Sequence, residues 1–215
     1  MTHNIIIKIC GIRDARTLEA IIAAGADMVG FVHFGKSPRH LSLVEIGTLV
    51  VQARGRIQSV VLLVDPDDEL VGQVKKLAPD IIQLHGHESP KRVEQIRFQS
   101  GIETMKALPI GGPEDILAIR DYLGVADRLL LDAKPPKEAK RPGGLGAVFD
   151  WSLLKALDGQ VEYMLSGGLN PANVAAAINK VWPVGVDVSS GVEKAPGEKD
   201  IDMISSFIAN ARHST

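Results

Sequence analysis

Residues 5–11 read Ile-Ile-Ile-Lys-Ile-Cys-Gly, and the fold of this stretch decides the reading of the whole chain. Four isoleucines around one lysine suit a strand covered on both faces, as in the parallel sheets of α/β proteins. Cys10 stands where the apolar run stops, and Gly11 follows it. The C-terminal end of a parallel strand is where such folds carry reactive groups. A free thiol there also reads as a small buried hydrophobe, so position alone leaves both readings open.

Outward from this strand, strand and helix patterns alternate to the end of the chain. Strands are expected over Ile5–Cys10, Met28–Phe34, Gln58–Val64, Ile81–His85, Glu103–Leu108, Arg128–Ala133, Glu162–Ser166 and Val184–Ser189. Helices are expected over Ala15–Ala24, Leu43–Arg54, Asp68–Leu77, Pro90–Gln99, Pro113–Leu123, Trp151–Leu157, Pro171–Val181 and Asp200–Ala211. Ser89-Pro90 and Asn170-Pro171 each place a capping residue before a proline at the first helical position. Gly25, Gly55, Gly101 and Gly124 stand where helices should end. Eight strand–helix units in 215 residues predict a single-domain (β/α)8 TIM barrel over residues 1–215, with a doubly wound open sheet as the alternative. Lys134–Gly146, rich in proline, glycine and basic residues, reads as an active-site loop after the sixth strand rather than a linker.

Composition narrows the functions. Lys plus Arg number 24 against 26 Asp plus Glu, a formal charge of −2, so neither nucleic acid nor an anionic membrane is expected as the main partner. One cysteine precludes an intrachain disulfide and a cysteine-rich metal site, and fits a cytoplasmic protein. No leader pattern opens the chain, and no apolar run approaches the roughly 20 residues of a membrane span.

Polar residues gather at the expected strand ends: Cys10, His33, Gln83, His85, Lys106, Asp132 and Asp187. In a barrel those ends form one rim, and catalytic groups come from several strands. Any one of them reads equally as a loop cap, whereas the set points to chemistry. Three glycine-bearing stretches follow late strands: Gly143-Gly144-Leu145-Gly146, Ser166-Gly167-Gly168 and Ser189-Ser190-Gly191. Such backbone can bring N–H groups close to a phosphate, so a phosphorylated small molecule is the expected partner. Arg39, after the second strand, can present its fork to a carboxylate or phosphate.

Together these motifs resemble the phosphoribosylanthranilate isomerase family. The resemblance runs through Lys8-Ile9-Cys10-Gly11, Ser37-Pro38-Arg39, Gln83-Leu84-His85-Gly86, Leu130-Leu131-Asp132 and Phe149-Asp150-Trp151. It continues through Leu165-Ser166-Gly167-Gly168-Leu169 and Val186-Asp187-Val188-Ser189-Ser190-Gly191-Val192-Glu193. It implies a cofactor-free, metal-free Amadori rearrangement of N-(5-phosphoribosyl)anthranilate, with Asp132 as general acid and Cys10 as general base. It implies Arg39 at the anthranilate carboxylate, and Gly144, Gly168, Ser190 and Gly191 at the phosphate. Gly146, Gly167 and Ser189 belong to the same loops, while His85 and Asp187 are matched positions expected to have an orienting or structural duty rather than proton transfer. The acid has to keep a proton near neutral pH, and the thiol has to ionise, for which Lys8 is the nearest source of charge. Leu145 stands where the family usually has threonine. A monomer or homodimer is expected. The alternatives are a sister isomerase of histidine biosynthesis, whose acid–base pair is two aspartates, a non-catalytic phosphosugar-binding barrel, and a redox thiol without a resolving cysteine.

Overall fold

Eight strands pair in parallel, each with the next, and the last closes on the first. In the computed structural model, which describes residues 5–134, 149–157, 159 and 161–214, they are β1 (Ile6–Cys10), β2 (Met28–Val32), β3 (Gln58–Leu63), β4 (Ile81–Leu84), β5 (Glu103–Ile110), β6 (Arg128–Ala133), β7 (Met164–Leu165) and β8 (Gly185–Val188). Closure sets Ile6 opposite Gly185 and Lys8 opposite Asp187. The expected barrel stands, and the open sheet is excluded. No helix among the described residues is long and apolar enough to cross a membrane.

The helices α1 (Ala15–Ala24), α2 (Leu43–Ala53), α3 (Asp68–Leu77), α4 (Pro90–Ser100), α5 (Pro113–Ala118), α6 (Val174–Val181) and α7 (Ile201–Arg212) form the outer ring. Their starts follow the local chemistry. The Asp14 carboxylate accepts from Thr17 N–H, Ser42 and Glu45 form a reciprocal capping box, and Ser89 caps α4 ahead of Pro90. Gly25 and Gly101 end α1 and α4 in the left-handed region, as their positions suggested. Asn170 does cap, accepting from Ala172 and Asn173 N–H, but regular helix begins only at Val174. The fifth helical segment tightens into a 3-10 turn over Ile119–Tyr122, and Trp151–Leu157 is 3-10 throughout. The seventh strand is shorter than expected at both ends, and Gly167 and Gly168 take positive φ just beyond it.

One device recurs at the end of the barrel away from the reactive rim. The aspartate before each of β2, β4 and β6 accepts a backbone N–H from the odd strand preceding it: Asp27 from Ile7, Asp80 from Ser59, and Asp127 from Thr104. Each carboxylate satisfies a donor at a strand start and pins the register of a two-strand repeat.

Candidate active site

Alternation along the strands sorts side chains into two layers. Ile7 and Ile9 pack outward with the helices, whereas Ile6, Lys8 and Cys10 point into the barrel. Met28, Val60, Ile81, Met105, Leu130 and Met164 form an apolar floor inside. Above it the same parity brings together Lys8, Cys10, Gln83, His85, Asp132 and Asp187. Two of the seven rim candidates fall on the wrong parity. His33 faces the β2–α2 loop, with Nδ1 2.8 Å from the Leu41 carbonyl. Lys106 points into the helix layer, donating to Glu88 Oε2 at 2.6 Å and to the Gly86 carbonyl at 2.8 Å.

Cys10 is buried opposite Gly30 of β2, where a Cβ would come within 2.7 Å of its sulfur. Glycine at position 30 therefore makes the room for the thiol. Lys8 donates to Asp187 Oδ1 at 2.7 Å, and Ser166 donates to Asp187 Oδ2 at 3.1 Å. Burial pushes the Cys10 thiol up from its ordinary value; Lys8 and Lys199 pull it down and Asp187 adds to the rise, leaving a net increase. The expected lowering by Lys8 is thus present but outweighed, and the resting thiol is protonated at neutral pH. Burial alone would lower Lys8, but Asp187 and Cys10 more than offset it, so Lys8 stays charged.

Asp132 is the penultimate residue of β6, with both oxygens engaged. Oδ1 accepts from Ala133 N–H at 2.9 Å, and Oδ2 lies 3.2 Å from His85 Nε2. The other ring nitrogen, Nδ1, lies 3.0 Å from Gln83 Nε2. Gln83, His85 and Asp132 are therefore one polar chain linking β4 to β6.

Arg39 lies across Gly11, so closely that a Cβ there would overlap Arg39 Cδ; Gly11 has φ +83°. Its guanidinium forks onto Glu193, Nε to Oε1 and Nη2 to Oε2, each at 2.7 Å. Lys199 donates to Glu193 Oε1 at 2.8 Å and to the Ser189 carbonyl at 2.8 Å, and Gly197 N–H donates to Glu193 Oε2 at 3.2 Å. Burial opposes ionisation of Glu193, yet Arg39 and Lys199 outweigh it and hold its carboxyl at about 2. Lys199 itself is lowered, because burial costs it more than Glu193 returns. The hairpin that carries Glu193 and Lys199, β9 (Glu193–Ala195) with β10 (Glu198–Lys199), was not anticipated. Glu193 closed a motif but carried no assigned role, and Glu198-Lys199 looks like any solvated turn.

The loops after β7 and β8 abut. A Cβ on Gly191 would overlap the Leu169 carbonyl oxygen, and one on Gly167 would come 2.5 Å from Ala133 N. Gly168 has φ +64° and gives its carbonyl to Asn173 Nδ2 at 3.0 Å. Ser190 opens a 3-10 turn, and Ser189 Oγ donates to the Cys10 carbonyl at 3.0 Å. This joins the late glycine loops to the thiol strand. Gly144 and Gly146, with Leu145 and the rest of the sixth loop from Pro135 onward, lie outside the described residues.

Comparison with known proteins bears on this site. The family model described as N-(5'phosphoribosyl)anthranilate (PRA) isomerase matches residues 7–210. An N-(5'-phosphoribosyl)anthranilate isomerase of Azorhizobium caulinodans is 55% identical over 203 residues, 94% of this chain and 89% of that one. One of Rhodopseudomonas palustris (strain ATCC BAA-98 / CGA009) is 52% identical over 208 residues, 96% of this chain and 98% of the other. Among solved structures, phosphoribosyl anthranilate isomerase of Thermotoga maritima superposes with a TM-score of 0.88 at 36% identity, covering 97% of this chain and 99% of that one. A phosphoribosyl anthranilate isomerase in complex with reduced 1-(o-carboxyphenylamino)-1-deoxyribulose 5-phosphate superposes with a TM-score of 0.85 at 34% identity, with the same coverage. A further Thermotoga maritima structure is of mutually generated monomers of a dimeric enzyme, at a TM-score of 0.85 and 33% identity over 97% of this chain and 99% of that one.

Proposed function

The chain belongs to the N-(5'-phosphoribosyl)anthranilate isomerase family, and from that membership we propose how its own residues carry the reaction. It is an isomerase of tryptophan biosynthesis, converting N-(5-phosphoribosyl)anthranilate to 1-(2-carboxyphenylamino)-1-deoxyribulose 5-phosphate. Asp132 protonates the ring oxygen, and the sugar opens to a Schiff base. Cys10 removes the proton from the sugar C2, giving an enolamine that tautomerises to the ketone. One proton is given and one taken, so the step is an isomerisation with no external oxidant or reductant.

His85 orients Asp132 and tethers it across the rim. Burial leaves Cys10 mostly as thiol, but a thiol that is hard to ionise is the stronger base once ionised. Arg39 takes the anthranilate carboxylate, presented rigidly because Glu193 already fixes two of its nitrogens. The adjoining loops at Gly167, Gly168, Ser189, Ser190 and Gly191 take the phosphate, with Gly144 and Gly146 assigned alongside them by family pattern alone. Asp187 keeps Lys8 charged beneath Cys10. The whole chain, 1–215, acts as one catalytic unit in the cytoplasm, as monomer or homodimer.

The observation that carries this reading is the shared interior face of Cys10 and Asp132 above an apolar floor. The test is the fluorescence decay of phosphoribosylanthranilate generated in situ, with wild type, Cys10→Ala and Asp132→Asn side by side. Each variant is expected to lose at least about 100-fold in kcat, the usual range for a proton-transfer group. Turnover surviving Cys10→Ala would move the base elsewhere. A Cys10→Ala protein that binds substrate unchanged beside an inactive wild type would restore the binding-barrel reading.

A further inference from the structure

Gln83 is wholly buried inside the barrel, and its carbonyl Oε1 has no hydrogen-bond partner among the described residues. Its only side-chain partner there is the His85 ring, through Nε2 at 3.0 Å. A buried acceptor left unpaired is costly, so an interior glutamine should not persist in this state without a compensating use. The arrangement has a second property. An amide has nearly the same shape when its oxygen and nitrogen exchange places, and the torsion that exchanges them has two broad wells. Because Oε1 is tied to nothing, no other contact selects between the wells. The ring alone selects.

The ring's demand depends on how many protons the His85–Asp132 pair carries. With one proton, the ring is neutral, Nε2–H donates to the Asp132 carboxylate, and Nδ1 accepts from the Gln83 amide. With two protons, Nδ1 always carries a hydrogen. Either Asp132 holds the second proton and donates it to Nε2, or both ring nitrogens are protonated. In both cases Nδ1–H needs an acceptor, and only Gln83 Oε1 can supply it from this position. We propose that Gln83 is a positioning residue for the acid step: its amide turns over when the His85–Asp132 pair takes up a proton, so that the proton-loaded acid is hydrogen-bonded as completely as the spent one. This rests on Asp132 as the general acid. It adds that the acid's readiness is set by a neutral amide one residue beyond its histidine partner.

The surroundings suit such a device. Inside the barrel, β3 contributes Leu62 and β5 contributes Met105 and Ala107 beside Gln83, none of which titrates. The charged groups on the far strands, Lys8 and Asp187, are joined to each other beside Cys10. In the helix layer behind β4, Lys106 is joined to Glu88, and in the loop above it His87 faces Asp65. Ser166 is committed to Asp187. Among the described residues Gln83 is thus the neighbour that can answer the ring's Nδ1.

The direct test is the 15N NMR spectrum of the His85 ring in the intact wild-type protein across pH, assigned by comparison with His85→Gln. The proposal expects a neutral ring protonated at Nε2 on the alkaline side, and Nδ1–H on the acid side of the pair's titration, with the Gln83 amide resonances moving over the same range. A ring protonated at Nδ1 at every pH would mean that Oε1 always faces it and would overturn the proposal. Kinetics supply the second measurement. Gln83→Glu offers Nδ1 a permanent acceptor, so the limb of kcat/KM set by the His85–Asp132 pair should rise by about one pH unit or more. Gln83→Met offers neither donor nor acceptor, so kcat should fall roughly 10- to 100-fold at little change in KM. A merely structural role would lower stability in both variants and leave that limb in place. The NMR result stands without any variant of Gln83, and failure of Asp132 as the acid would show separately in Asp132→Asn, so the two readings fail independently.

Discussion

Glu193→Gln tests the buried charge cluster that braces Arg39. Glu193 accepts four hydrogen bonds, from Arg39 Nε and Nη2, Lys199 Nζ and Gly197 N–H. Its carboxyl sits at about 2 against an ordinary 4.5. A gap of that size corresponds to at most about 3 kcal/mol of stability at neutral pH. Because the folded value lies below the unfolded one, this contribution is complete above pH 4.5 and is lost as the pH falls through 2. At pH 3 about 40% of it remains. Glutamine keeps the shape and one carbonyl acceptor but removes the titration. Urea unfolding at pH 7, 5, 4 and 3 should therefore show the variant less stable at pH 7 by about 3 kcal/mol, with the difference shrinking by nearly 2 kcal/mol at pH 3. Stability differences that stay parallel over that range would refute the assignment of the low carboxyl value to this cluster. Because Glu193 braces Arg39, the residue proposed above for the anthranilate carboxylate, KM should change more than kcat.

Three further outcomes follow from the geometry. Lys8→Met removes the positive neighbour that holds the Cys10 thiol down, so the limb of kcat/KM set by the thiol should move up by about one pH unit; an unmoved limb takes Lys8 out of the mechanism. Lys106→Met leaves Glu88 buried without its ammonium and should cost about 3–5 kcal/mol in urea unfolding, where a loss below about 1 kcal/mol would contradict the buried pair. Gly191→Ala forces a methyl group onto the Leu169 carbonyl and should spread the two late loops, at a cost of about 1–3 kcal/mol and a KM raised several-fold. An unchanged KM there would remove these loops from phosphate binding.

The barrel was legible because its signals are local. Each odd–even parity, each cap at Asp14, Ser42 and Ser89, and each αL glycine at Gly25 and Gly101 is written within a few residues. Parity could also have sorted the rim: Lys106 and His33 lie out of phase with the interior positions of their own strands, and once one inward residue per strand is known the rest follow. What could not be read was long-range. Arg39 meets Glu193 across 154 positions and Ser189 meets the Cys10 carbonyl across 179, and no local pattern announces either contact. The rise in the Cys10 value has the same origin, since burial by β2 and β8 decides it and the adjacent lysine does not.

The seam between β1 and β8 has a consequence for how the protein is made. Of the eight barrel strands, the one that carries Cys10 leaves the ribosome first and its partner β8 leaves last. Until residue 188 is available, β1 presents an unpaired edge, and Lys8 and Asp187 remain separately hydrated. Closing the seam is then the event that strips water from both charges at once, at the largest chain separation of any strand pair in the fold. A nascent chain lacking β8 carries Cys10 and Asp132 yet no closed barrel to hold them. The site is finished only after that long-range closure, once the loop at Ser189 and the hairpin of Glu193 and Lys199 have followed β8.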